Sequence, residues 1–248
     1  MTCWIVRDPA GDAGWEFGLP PGITPEQWPR HRSSGLPLVH GFTIRVPEEL
    51  RVKGPQRVAL SYFHPGDSES FPAEEGQVAR VRAILDGGPL EGGEAGHPFW
   101  EALHACASSE HVARSARTAG EARLAVTCFT DILEHDHVVV WHTERELGGP
   151  RCERPETPLP DGIDGEAVHL DEPVPAEVPL GLVETEPEQI LIQLGPPLRP
   201  VQSSEDALAD MGFGEMVLQI ETDVGGANYG DGNCQVDLEN GLLDWACT

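Results

Sequence analysis

Positive charge is what this chain of 248 residues has least of: 16 Lys and Arg stand against 42 Asp and Glu, a formal net charge of −26. The deficit is uneven. Residues 1–154 hold 22 acidic against 15 basic side chains, a net of −7, while residues 155–248 hold 20 acidic side chains against Arg199 alone, a net of −19. Nucleic-acid affinity depends on Lys and Arg neutralising phosphates, so direct binding to DNA or RNA is excluded on charge. An anionic membrane surface is excluded for the same reason. A field of this sign draws in cations.

Other absences narrow the class further. No run approaches the roughly 18 apolar residues that would span a bilayer. Met1 to Asp8 offers no basic stretch followed by an apolar core, so no secretory signal is expected. The six cysteines (Cys3, Cys106, Cys128, Cys152, Cys234, Cys247) show no C-x-x-C spacing. Scattered cysteines without an export signal read as reduced thiols in a cytoplasmic protein. There is no Gly-x-Ser-x-Gly elbow and no His-Glu-x-x-His. Gly230 and Gly232 lack the third glycine of a phosphate cradle, and the next segment reads as a strand. Counted as a calcium loop from Asp231, position 6 is Val236 where Gly is needed and position 12 is Leu242 where Glu is needed. The expected alternative is a turn in which Gly230 and Gly232 supply positive φ and Asp231 bonds its own loop.

What is present suits a globular β-rich chain. Hydrophobic residues make up 39%, with 6 Trp and 7 Phe for a core, while 28 Gly and 23 Pro favour many short elements joined by turns. Strands are expected at Trp4–Val6, Trp15–Phe17, Pro37–Val46, Arg57–His64, Leu124–Phe129, Val138–His142, Leu180–Val183, Ile190–Leu194 and Cys234–Leu238. Met216 to Thr222 alternates, with Met216, Leu218 and Ile220 on one face and Val217, Gln219 and Glu221 on the other, the pattern of a half-buried strand. Val78, Val81 and Leu85 have helical spacing; further helices are expected from Pro98, over Val112–Arg117, and from Ser203 through Leu208 and Met211 to Gly212. The fold class is therefore α+β, mainly antiparallel sheet with a few short helices. Residues 1–150 read as an N-terminal α+β unit, 151–179 as a Pro-rich linker or long loop, and 180–248 as an acidic β-rich unit. The two units can also form one compact body.

Segments at opposite ends of the chain resemble one family. Val217-Leu218-Gln219-Ile220-Glu221-Thr222-Asp223 is followed by Asn228-Tyr229-Gly230-Asp231-Gly232. This is similar to the closing signature of the YwqG-like family, a Leu-Gln-Ile-Asp-Ser-Asp strand and then Trp-Gly-Asp. Leu194-Gly195-Pro196-Pro197 with Gln202 resembles its Leu-Gly-x-Pro…Gln step. Gly18-Leu19-Pro20, Trp28-Pro29 and Gly35-Leu36-Pro37-Leu38 resemble its Gly-x-Pro…Trp-Pro…Gly-x-Pro-Leu entry. The chain departs from that pattern at Tyr229, at Glu221-Thr222 and at His40-Gly41-Phe42. The resemblance implies a mixed fold dominated by antiparallel strands, no established enzymatic activity, and an association with proteins proposed to neutralise bacterial toxins.

The functional expectation is a cytoplasmic immunity-type protein that binds and neutralises a basic protein, a nuclease toxin above all. Such enzymes present a basic surface to phosphates, and carboxylates complement it. The candidate partner-binding residues are Glu221, Asp223, Asp231, Asp237 and Glu239, with Asp161, Asp164 and Glu166 as a second patch. No catalytic residue, metal or cofactor is expected. Alternation places His135 and His137 on one strand face and His142 on the other, so a metal site would need a further ligand from elsewhere. Cys128 and Cys106 read as core thiols, and Trp28 and Trp245 as buried anchors. The alternatives are an unrecognised hydrolase or metal-dependent enzyme, and an acidic scaffold domain.

Overall fold

The computed structural model describes residues 1–30, 37–66, 125–131, 135–155 and 173–247. The helices expected at Val78–Leu85, from Pro98 and over Val112–Arg117, together with Cys106, Asp161, Asp164 and Glu166, lie outside the described residues.

Eleven strands form one sheet: β1 (Cys3–Arg7), β2 (Gly14–Glu16), β3 (Val39–Arg45), β4 (Ala59–His64), β5 (Ala125–Thr130), β6 (Asp136–His142), β7 (Val178–Val183), β8 (Ile192–Leu194), β9 (Val217–Glu221), β10 (Asn233–Asp237) and β11 (Leu242–Ala246). Among the described residues two short α-helices accompany them, α1 (Glu144–Leu147) and α2 (Glu205–Asp210). The described residues thus form a mainly antiparallel β structure. The order across the sheet is β11-β10-β9-β8-β1-β7-β2-β3-β4-β6-β5. β1 lies between β7 and β8, so strands from both ends of the chain are neighbours in one sheet. The stretch expected as a linker is tied in at both ends. Cys152 N–H donates to the Pro20 carbonyl at 2.8 Å, and β7 begins at Val178.

Every hydrogen-bonded neighbour in this sheet is antiparallel, through ten successive junctions. Ten reversals leave the outermost strands, β11 and β5, running the same way. The sheet curls until these two edges meet: a methyl group added to Gly241, just before β11, would sit 3.7 Å from the Cys128 carbonyl oxygen of β5. The barrel therefore comes together along a parallel seam with no ladder pairing across it.

Period-2 alternation sends one set of side chains inward. Ile5, Phe42, Ile44, Leu60, Tyr62, Val139, Trp141, Leu218, Ile220 and Val236 pack into one core. The outward set of β4 and β6 is buried as well. Phe63, Val138 and Val140 lie under Ile23, Trp28, Leu38 and Cys152, with the Trp28 ring edge-on to Phe63 at 5.6 Å. Trp28 donates its indole N–H to the Leu38 carbonyl at 2.8 Å, which lets so large a side chain be fully enclosed. Each such burial contributes about 1.5–3 kcal/mol.

Three expectations are corrected here. β9 is not half-buried: Val217 to Ile220 are all enclosed. Its polar face belongs to a cross-strand row, Trp4–Gln193–Gln219–Gln235–Asp244. The segment after β8 covers that row, with Arg199 N–H donating to Gln219 Oε1 at 2.7 Å and Asn233 Nδ2 donating to the Arg199 carbonyl at 2.8 Å. α2 starts where expected, within the Ser203–Asp206 capping segment, but its last helical residue is Asp210, so Met211 is not carried on the helix. Ser204 Oγ accepts from Ala207 N–H, Leu208 is buried, and Met211 is exposed at the C-cap. Finally, Gly230 has the expected positive φ of 60°, but Gly232 does not. Gly232 is needed for close approach, since a Cβ there would lie 1.6 Å from the Ala246 carbonyl oxygen.

Candidate functional site

The expected acidic residues do not form one surface. Asp237 is fully buried. Its Oδ1 accepts from the Glu239 and Asn240 amides at 2.8 and 3.0 Å, and its Oδ2 accepts from Gly214 N–H and Asn240 Nδ2, both at 2.9 Å. A carboxylate committed to four donors holds the β10–β11 turn and is withdrawn from the partner-binding set. Glu239 is exposed and accepts from Glu215 N–H at 3.1 Å. Glu221 is half-buried, accepting from Gln219 Nε2 at 2.7 Å. Asp223 and Asp231 are exposed. The loop side chain that accepts an amide hydrogen is Asn228, not Asp231: Gly230 N–H donates to Asn228 Oδ1 at 2.9 Å. Because Asn233 faces Glu221 and Asp237 faces Val217, Asp231 lies with Glu221 and Asp223 at one end of the β9–β10 pair, with Glu239 at the other.

Five arginines of the described residues are already paired with carboxylates. Arg45 makes a two-bonded pair with Glu144 at 2.9 and 2.7 Å, and Arg57 bonds Glu146 at 3.0 Å. Arg151 bonds Glu177 at 2.8 Å while its guanidinium lies 3.4 Å from the centre of the Trp15 ring. Arg7 grips the fully buried Glu16 at 2.6 and 2.7 Å, and Gly225 N–H adds a third bond to that carboxylate at 2.9 Å. Arg199, the lone cation of the acidic half, pairs with Glu186. Glu184, Glu188, Asp206, Asp210, Glu215 and Asp231 are exposed and enter no ion pair among the described residues.

A cleft opens at the end of the β5–β11 seam, lined in part by His64, Asp131, His135, Asn228, Tyr229 and Trp245. Beneath it runs a hydrogen-bonded chain whose proton positions follow from its first member. Burial raises the Asp131 pKa, but bonds from the His137 ring and the His135 amide outweigh it and leave the group below its ordinary value, a carboxylate. His137 Nε2–H therefore donates to Asp131 Oδ2 at 3.1 Å, and His137 Nδ1 accepts from the Tyr62 hydroxyl at 2.7 Å. The Tyr62 oxygen accepts in turn from the Tyr229 hydroxyl at 2.7 Å. Burial pushes both phenols, and the adjoining Cys234 thiol, well above their ordinary values. They stay protonated, so neither a thiolate nucleophile nor a phenolate base arises here. His135 and His137 do converge, on Asp131, yet both His137 nitrogens are occupied. Among the described residues no group of three or more donors could hold a metal. Trp28 is the buried anchor expected, whereas Trp245 is half-buried at the cleft.

A second buried chain lies on the outer face of β3, β4 and β6, opposite in direction from His137 as the alternation predicts. The Gly18 carbonyl can only accept, so His40 carries its proton on Nδ1 and donates at 3.2 Å. His40 Nε2 then accepts from Thr43 at 2.9 Å, Thr43 Oγ1 accepts from Ser61 at 2.6 Å, and Ser61 Oγ accepts from His142 Nε2–H at 2.7 Å. Each hydrogen is used once. His142 Nδ1 is left as a buried lone pair with no partner among the described residues. Ser61 and His142 have the spacing of a nucleophile and base, but the serine proton points to Thr43, and desolvation lowers both imidazoles to about 3. This chain is core.

No family model, curated protein or solved structure matches the chain. Its functional reading rests on the residues themselves. Sequence reasoning missed Asp131, Tyr62 and Tyr229. Only the equal spacing of His135 and His137 pointed toward them, and the partners come from β4 and from the loop after β9.

Proposed function

We propose that this chain is an immunity-type binding protein, acting in the cytoplasm, that neutralises a cationic nuclease toxin by direct protein contact. The observation that carries the reading is the state of charge in residues 155–248: Arg199 is spent on Glu186, while Glu184, Glu188, Asp206, Asp210, Glu215 and Asp231 face solvent without an ion-pair partner among the described residues. Complementary charge of this kind steers association toward about 10⁸–10⁹ M⁻¹s⁻¹ and discriminates against acidic competitors. Speed suits an antidote that must reach its target before damage is done. No helix of the described residues is long and apolar enough to cross a membrane.

The test takes the purified protein against a basic nuclease recovered with it from native cells. Nuclease activity is expected to fall at one equivalent, with an association rate that drops steeply as salt rises. Reversing Glu184, Glu188, Asp206 and Asp231 to Lys should slow association by about tenfold or more. Full nuclease activity in the complex, or an on-rate indifferent to both salt and charge reversal, would sink the proposal.

A further inference from the structure

The outer face of β8, β9 and β10 carries the side-chain amides of Gln193, Gln219, Asn233 and Gln235, each between 1% and 3% exposed. They read the main chain of the segment that covers them, residues 195–203. Arg199 N–H donates to Gln219 Oε1 at 2.7 Å, and the Arg199 carbonyl accepts from Asn233 Nδ2 at 2.8 Å. Gln193 Nε2 donates to the carbonyls of Gly195, at 2.9 Å, and of Pro197. In an antiparallel pair one residue exchanges both its N–H and its C=O with the residue opposite. Gln219 and Asn233 together offer Arg199 that same acceptor and donor, so two side chains stand in for one residue of a neighbouring strand.

Their orientation does not come from the segment they hold. An ionised carboxylate only accepts, so Gln219 turns Nε2 to Glu221 Oε1 at 2.7 Å and its oxygen the other way. Gln235 Nε2 donates to Asn233 Oδ1 at 2.8 Å, which leaves Asn233 Nδ2 for the covering chain. Acceptor and donor are therefore set before a main chain arrives. The head of the row has a donor to spare: the Trp4 indole N–H, on the residue opposite Gln193, is buried with no partner among the described residues.

The covering segment buries little of itself. None of residues 196–203 is buried, and Pro196, Pro197 and Pro200 have no N–H to give. Lifting it uncovers side-chain amides, which water can satisfy, and a segment with so few buried contacts opens locally while the sheet stays intact. Arg199 also shows what suits the rim: its guanidinium donates to Glu186 at 2.9 Å, with exposed Glu184 and Glu188 on the same loop. We infer that this row of amides is a binding groove for an extended Leu-Arg-Pro segment of a partner protein, and that residues 195–203 fill it in the free chain as a displaceable strap. The groove holds whether or not that partner is a nuclease.

The probe is the end-capped peptide Pro-Leu-Arg-Pro-Val, titrated into the full chain and into Arg199→Pro. That substitution deletes the strap's amide to Gln219 and its guanidinium to Glu186 and leaves the groove residues unaltered. The readout is the side-chain NH2 resonances of Gln219 and Asn233. Saturable shifts are expected in Arg199→Pro, with affinity at least about tenfold above that of the unaltered chain, whose own strap competes. A peptide N-methylated at its arginine lacks the N–H and should bind Arg199→Pro about tenfold more weakly, the loss of one hydrogen bond. No saturable binding to a folded Arg199→Pro, or equal affinity for the two peptides, overturns the groove. Hydrogen exchange of the unaltered chain decides without any variant. The Arg199 amide is expected to exchange at least about a hundredfold faster than the main-chain amides of β9, and equal protection overturns the strap, which would then open only with the sheet.

Discussion

Tyr62 and Tyr229, separated by 167 residues in sequence, share a hydrogen bond of 2.7 Å inside the barrel. The bond joins β4 to the loop after β9, and it extends through His137 to Asp131 at the seam. Strand pairing alone would leave these ends of the sheet linked only through their neighbours. The hydroxyl pair adds a direct tie across the interior, satisfied at every member, where an unmet partner would be costly.

Removing the two hydroxyls should therefore be unequal. Tyr62→Phe deletes two bonds and leaves His137 Nδ1 and the Tyr229 hydroxyl buried without partners, a loss of about 2–3 kcal/mol. Tyr229→Phe deletes one and should cost about 1 kcal/mol. Urea unfolding of both variants measures the difference, and equal or negligible losses would contradict the proton order assigned to the chain.

Buried histidines set the acid limit. His40 and His142 titrate near 6.5 when unfolded and at about 3 when folded, because burial disfavours their charged forms. Between those values the unfolded chain holds two more protons than the folded one. Stability is then fully present above about 6.5 and falls with decreasing pH, by about 2.7 kcal/mol per unit at the steepest. Asp131, whose folded pKa is depressed, acts lower down: its contribution is present above its unfolded value near 3.8 and is lost as pH drops through its folded one. Urea midpoints should decline already between about pH 7 and 5.5, before ordinary carboxylates protonate; a flat profile there would refute the assignment.

Two arginine truncations test which ion pairs matter. Arg45 and Glu144 are both well exposed, so Arg45→Ala should cost at most about 0.5 kcal/mol. Arg7 is 45% exposed but its partner Glu16 is at 0%, so Arg7→Ala strands a buried carboxylate. With solvent reaching the guanidinium side, the loss should be about 2 kcal/mol, less than for a wholly buried pair. Denaturant titration of the two variants side by side measures the gap.

Asp237 and Asp231 carry the same charge and should behave oppositely. Asp237→Ala orphans four donors and should destabilise by about 2–3 kcal/mol, leaving the association rate of the folded fraction with a basic partner unchanged. Asp231→Lys should shift stability by less than about 0.5 kcal/mol and slow association. Thermal melts and stopped-flow mixing separate the two effects.

Much of the strand pattern was legible because apolar and polar residues alternate locally. β1, β4, β6 and β10 lie where their β-branched and aromatic runs placed them. His137 and His142 point to opposite faces, as five positions along a strand require. The polar face of β9 read as solvent-facing, and it is not. A period of two says which side chains share a face, but not whether a later segment will cover it. Asp237 shows the same limit, since a carboxylate's charge is visible in sequence while its donors come from residues 214, 239 and 240.

Composition settled the sign of the protein's field, because net charge is a sum over residues and needs no coordinates. Which carboxylates face water, and the cleft where Asp131 meets Tyr229 and Trp245, were decided by the closing of the sheet. That closure brings the ends of β5 and β11 together, and contacts made across so long a stretch of chain leave no local signature in the order of its residues.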